Sequence, residues 1–185
     1  MTTDNAGTNL AGTYTLDPAH TRIGFVARHA MVTKVRGAFN EFEGTAMLDG
    51  DSPANSTVTL TIKAASIDSR NAQRDEHLRS NDFPAMETYP EITFVSTAVR
   101  QTGETSFEVT GDLTIKGVTN LVTVPFEYEG AATDPFGNLR VGFEGSTTIN
   151  RKDYGITWNA ALETGGVLVS DKIVLEFEVS AVKNA

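Results

Sequence analysis

The sequence predicts an all-β protein made of antiparallel strands with one apolar face. Three observations carry this. Apolar and polar residues alternate with period two along most of the chain. Clusters of Asp, Asn, Gly and Pro separate the alternating runs at short intervals. No long amphipathic helix, internal repeat or interdomain linker interrupts them.

The runs follow one another in order. In "HTRIGFVARH", Ile23, Phe25 and Ala27 share one face, with Arg22, Gly24 and Arg28 opposite. In "STVTLTIKA", Val58, Leu60 and Ile62 oppose Thr57, Thr59, Thr61 and Lys63. Pro90 precedes "EITF" at a strand start, where a missing N–H does no harm. "SFEVTGDLTIKG" sets Phe107, Val109, Leu113 and Ile115 against Glu108, Thr110, Asp112 and Thr114. Val122, Val124, Phe126 and Tyr128 come next, then Val141 and Phe143, and last Ile173, Leu175, Phe177 and Val179. "DGDSPANS" at 49–56, "KGVTN" at 116–120 and "TDPFGN" at 133–138 read as turns, the second as a hairpin.

One-sided strands of this kind belong to sheets with one wet face. Periodicity leaves a sandwich and a closed barrel both open. Short links between sequential strands favour closure, which removes exposed edges. An eight-stranded barrel is either filled by side chains or holds one small ligand.

The length of 185 residues fits one domain, read here as a loose polar tail over 1–11 and a barrel over 12–185. A net charge of -9 repels a phosphate backbone and argues against nucleic acid as a partner. With no cysteine there are no disulfides and no thiolate chemistry. "MTTDNAGTNLAG" has no basic start and no apolar core, so no leader is read and a cytoplasmic protein is expected.

One stretch departs from the pattern: "RNAQRDEHLRSNDFPAMETYPEITF", 70–94. Asn71 suits the cap of a short helix running to about Arg79, with Asp75 and Arg79 spaced for a surface ion pair. Leu78, Phe83 and Met86 would then cover a barrel end as a lid. The competing reading is a metal or acid–base site at Asp75 and His77. The three histidines, His20, His29 and His77, lack the local spacing that lets two share a metal, so no metal site is expected. No nucleophile elbow or phosphate loop occurs. "DGDSPANSTVTL" starts like a calcium loop but carries Ala54 and Leu60 where Gly and Glu are needed, so it is a turn.

The chain resembles the YceI-like family, lipocalin-like proteins also called polyisoprenoid-binding proteins. The resemblance rests on "YTLDPAHTRIGFVARH", "VRGAFNEFEG", "RDEHLRSNDF" leading into "YPEITFVS", "GDLTIKGVTNLVTVPF" and "INRKDYGI". It implies an extended eight-stranded antiparallel β-barrel with a short helix or lid and a long apolar interior that accepts a lipid tail. It also implies homodimers, passing contact with membranes and no catalytic activity. Matching motif positions, from His20, Phe25 and His29 through Arg74, Asp75 and His77 to Gly117, Arg151 and Gly155, read mostly as fold-defining. Pro84 stands where many members carry a second aromatic residue.

Under this reading the ligand is an apolar lipid, an isoprenoid or fatty chain, and no other cofactor is called for. Residues expected to line it are Phe25, Val58, Leu60, Ile62 and Phe94. Val109, Leu113, Phe126, Tyr128 and Phe143 continue the lining, followed by Leu175 and Phe177, with Phe42 and the lone Trp158 as additions. Two other readings stand beside the carrier. One is an isomerase or hydrolase of an apolar substrate using His29 with Arg28 or Tyr128. The other is a stress-response interaction protein with a filled barrel.

Overall fold

The computed structural model describes residues 11–29, 33–49, 52–70, 89–156 and 171–184. Eleven strand segments are present: β1 (Gly12–Leu16), β2 (Arg22–His29), β3 (Thr33–Phe39), β4 (Phe42–Leu48), β5 (Thr57–Lys63), β6 (Ile67–Asp68), β7 (Glu91–Gln101), β8 (Ser106–Ile115), β9 (Val118–Thr133), β10 (Leu139–Asn150) and β11 (Lys172–Lys183). All pairings are antiparallel. The order β1-β4-β5-β7-β8-β9-β10-β11 closes on itself through β1–β11, giving an eight-stranded barrel.

The remaining segments complete three of those eight staves. β1 and β2 lie end to end along β11, β3 and β4 do so along that first stave, and β5 and β6 along the second. Each stave is therefore a long strand with one break, and the barrel is an up-and-down meander. The breaks keep their backbone groups satisfied, as buried polar groups require. At the first, Thr21 Oγ1 donates to the Ser180 carbonyl and accepts from the Ser180 N–H, both at 3.0 Å. At the third, Ser66 Oγ donates to the Lys63 carbonyl at 2.7 Å around the 3-10 turn Ala64–Ser66.

The turns follow the chemistry of their residues. Lys116 (φ 54°) and Gly117 (φ 76°) make the two-residue link between β8 and β9, the left-handed pair that matches strand twist. Asp134 Oδ1 accepts from the N–H groups of Phe136 and Asn138 and tightens the β9–β10 hairpin. Asp49 does the same for 49–56, accepting from Ser52 N–H at 3.0 Å and Asn55 Nδ2 at 3.4 Å. Within its described part, Pro53–Asn55 form a 3-10 turn.

Register shifts at Ser96/Ala98 and Gly142/Phe143 insert one residue each, and such bulges add the local twist and bend that closure uses. Inward side chains form two apolar clusters. One gathers around Ile23, Phe25, Leu60, Ile92, Leu113 and Tyr154, the other around Tyr14, Val141 and Ala181. No helix among the described residues is long and apolar enough to cross a membrane.

Candidate functional site: an apolar cavity along the barrel axis

The two clusters do not fill the interior. A cavity of about 870 Å³ runs between them, lined by inward residues of every stave. That volume lies within the range typical of small-molecule sites. Its wall includes Phe25, Val58, Leu60, Ile62, Phe94 and Val109, and continues through Leu113, Phe126, Tyr128, Phe143, Leu175 and Phe177. These side chains come together because all sit on the inward parity of their strands.

Phe42 differs. It is buried among the core residues but does not border the cavity, so inward orientation alone did not make it a lining residue. Trp158 lies outside the described residues, as do Asp75, His77, the short helix, Leu78, Phe83 and Met86 of the expected lid.

Glycine shapes the wall. An added Cβ at Gly37 would stand 2.3 Å from the Phe25 ring, one at Gly111 2.6 Å from the Phe94 ring, and one at Gly145 2.6 Å from the Phe126 ring. Each of these three glycines thus yields its side-chain space to an aromatic ring. Rings then meet across strands: Phe126 and Phe177 at 5.9 Å between centroids, Tyr128 and Phe143 at 5.3 Å, and Phe25 and Phe39 at 5.8 Å.

Polar groups gather mainly at the two ends, with Thr45, Thr59 and Thr147 also bordering the cavity. At one end, Asp49, Ser56, Gln101, Glu104 and Thr105 border the cavity from the turns. Just inside them lie Tyr14 and Tyr128, whose phenols are both pushed above the ordinary tyrosine range, chiefly by burial. The neighbouring Tyr128 hydroxyl adds to the effect on Tyr14, since two phenolates would repel.

At the other end, the 3-10 turn Arg151–Tyr154 caps the interior. Asn150 Oδ1 accepts from Lys152 N–H at 2.9 Å, and Gly155 (φ 74°) ends the turn in the left-handed region. The turn points Arg151 and Tyr154 inward, both nearly fully buried. Arg151 Nη1 donates to the Ile156 carbonyl at 2.7 Å and Nη2 to Asp171 Oδ1 at 3.2 Å. A buried guanidinium is kept by this pairing.

Periodicity missed Arg151 and Tyr154, because a turn carries no period-two signal. It also missed Tyr14, although "TYTL" alternates correctly.

Of the residues named for an enzyme, Tyr128 and His29 are not brought together. Strand register puts Arg22, Glu178, Glu144 and Glu127 in one row, next to Tyr128. His29 lies seven residues further along β2, roughly 23 Å at the usual strand rise. Tyr128 and His29 therefore occupy different levels of the barrel. Among the described residues, no group of three or more His, Cys, Asp or Glu is placed to hold a metal ion.

Comparison with known proteins agrees with this architecture. A family model described as a YceI-like domain matches residues 14–181. A UPF0312 protein of Photorhabdus laumondii is 43% identical over 152 residues, covering 81% of this chain and 79% of the relative. A Staphylococcus aureus UPF0312 protein is 41% identical over 171 residues, covering 91% and 95%. Among solved structures, Burkholderia cenocepacia BcnA superposes with a TM-score of 0.79 at 27% identity, covering 89% of this chain and 98% of that one. A polyisoprenoid binding domain from Saccharophagus degradans shares the fold, with a TM-score of 0.71 at 16% identity and coverage of 92% and 98%. With a matched domain model and relatives above two fifths identity, the chain belongs to the YceI-like family.

Proposed function

We propose that the protein binds a long-chain apolar lipid, isoprenoid or fatty, inside the barrel and releases it unchanged. The observation that carries this is the cavity of about 870 Å³, walled mainly by aliphatic and aromatic side chains with its charged groups at the ends. An apolar cavity of this kind excludes water and gains contacts from an apolar guest. Each buried CH₂ contributes about 0.8 kcal/mol relative to water. Relative to a bilayer the gain nearly vanishes, because the hydrocarbon core is equally apolar. Reversible loading and delivery suits such a balance better than one-way capture. A neighbour in fold is described as polyisoprenoid binding, which supports the choice of ligand class.

No catalytic role is part of this reading, since Tyr128 and His29, one pair named for catalysis, sit at different levels of the barrel. Native mass spectrometry of the purified protein, followed by organic extraction, tests the reading. A stoichiometric lipid adduct released by solvent is the expected result. Protein that stays ligand-free after incubation with prenyl and fatty chains would overturn it.

A further inference from the structure

Tyr154 is about 1% exposed, and its hydroxyl has no hydrogen-bond partner. It is the one buried side-chain polar atom so placed among the described residues. Buried hydroxyls are almost always paired, and leaving one unpaired is costly. Asn120 is the polar side chain that approaches the hydroxyl, without a hydrogen bond of good geometry. The ring borders the cavity beside Ile115, Val122, Ile149 and Ile156, all apolar. The nearby Asn120 amide spends its Nδ2 on the Asp153 carbonyl at 2.9 Å. Burial pushes the Tyr154 phenol above its ordinary range, with Asn120 opposing it only in part. The hydroxyl is thus a neutral donor at physiological pH, kept at the Arg151 end of an apolar cavity.

We propose that this end is a hydrogen-bonding subsite, and that the lipid carries a neutral oxygen, an alcohol or a carbonyl, at the end held there. The inference rests on the apolar-ligand reading above and adds the polarity and orientation of the guest. A neutral oxygen fits better than a charged head. Arg151, the buried cation among the described residues at this end, is already engaged by Asp171 and Ile156, and an anion held at Tyr154 would incur the cost of desolvation. An oxygen accepting from Tyr154 Oη closes the unmet valence, and the remaining chain lies along the Phe126–Phe177 section of the wall.

Dodecanol and dodecane, a pair that differs by one hydroxyl, test this by displacement of a bound apolar dye from the wild type and Tyr154→Phe. The substitution should weaken dodecanol several-fold, up to about tenfold, the usual yield of one hydrogen bond. Dodecane affinity should not change. The empty Tyr154→Phe protein should unfold at or above the wild-type temperature, since the substitution removes an unpaired group. Equal loss for both probes, or no loss for either, overturns the subsite while leaving the carrier intact. A marked drop in the unfolding temperature of the empty variant also overturns it, because the hydroxyl would then be paired within the protein. Failure of both probes to displace dye from the wild type would overturn the carrier reading itself, and the subsite with it.

Discussion

Phe126 and Phe177 approach within 5.9 Å between centroids, on either side of Gly145, which pairs with both across its two neighbouring strands. A Cβ on Gly145 would fall 2.6 Å from the Phe126 ring and 2.6 Å from the Pro125 carbonyl oxygen. The backbone oxygen cannot swing aside as a side-chain tip could. Gly145→Ala should therefore lower stability by about 1–3 kcal/mol, the usual range for overpacking. For a domain of this size that is a fall of roughly 2–12 °C in midpoint. Gly142→Ala, three residues earlier on the same strand, is the control. Its Cβ would meet nothing closer than 3.7 Å, so the change should be neutral or slightly stabilising. Equal effects at the two positions in thermal unfolding would remove the packing argument.

A second prediction concerns acid. Arg140 Nη1 donates to Asp17 Oδ2 at 2.5 Å, and His20 Nδ1 lies 2.8 Å from the same oxygen. Arg140 Nε also donates to Asp134 Oδ2 at 2.8 Å, so one guanidinium ties the β9–β10 hairpin to the β1–β2 turn. The Arg140 bond, then the His20 bond, hold the Asp17 carboxyl down to about 2 from an ordinary 3.8. Because the folded value is depressed, the stabilisation is present above pH 3.8 and disappears as pH falls through 2. Asp17→Asn should cost about 1 kcal/mol at neutral pH, the upper end for a partly screened pair. Urea unfolding from pH 7 downward should show the gap between the variants closing across that window. A gap that stays constant into strong acid would mean the charge is not what stabilises.

How much of this was legible beforehand depends on whether a residue lies in a regular strand. Phe25, Leu60, Phe94, Leu113, Phe126 and Phe177 were readable as inward because each sits in an unbroken alternation, and all border the cavity. The three breaks were not read. A signal was nonetheless present, as a change of parity. Tyr14 and Leu16 face inward on even numbers, whereas Ile23 and Phe25 do so on odd ones. Phe39 against Gly44, and Ile62 against Ile67, show the same switch. An odd change of spacing at each break turns the strand over, and period-two counting within one run cannot see across it. Arg151 and Tyr154 lie in a 3-10 turn, whose residues face inward through local geometry and not through alternation. Phe42 shows the converse limit. Named as an addition to the lining, it is buried, but contact with the cavity depends on how neighbouring residues fill space.

The β8–β9 turn leads to a third prediction. Lys116 holds φ 54° immediately before Gly117 at 76°, and a left-handed conformation strains most side chains. Asn tolerates it best among residues with a side chain, and Asn-Gly is the preferred pair for this turn. Lys116→Asn should therefore raise stability by roughly 0.5–1 kcal/mol. Loss of the exposed Lys116 Nζ bond to the Gly155 carbonyl, at 3.2 Å, offsets only part of this. Lys116→Val is the opposing control and should destabilise, because a β-branched residue fits that region poorly. Chemical denaturation of the two variants should place the midpoints on opposite sides of the wild type.

The cavity itself makes the largest prediction. A lipid that binds only the folded barrel stabilises it through mass action, by about 4 kcal/mol when free ligand is 1,000 times the dissociation constant. At roughly 2–4 °C per kcal/mol for this chain length, reloading delipidated protein should raise the midpoint by about 8–16 °C. Leu60 on β5 and Val109 on β8 both border the cavity, so Trp at either position would project an indole into the space a chain would occupy. Leu60→Trp and Val109→Trp should fold, because the cavity accepts the added volume. Each should shrink the ligand-dependent shift to a small fraction of the wild-type value. The empty variants are informative too: an indole that fills unoccupied volume gains wall contacts, so their midpoints should equal or exceed that of the empty wild type. Thermal unfolding of the three proteins with and without excess lipid separates the outcomes. A wild-type shift within about a degree under saturating lipid would mean that the space between the two apolar clusters does not take up a chain.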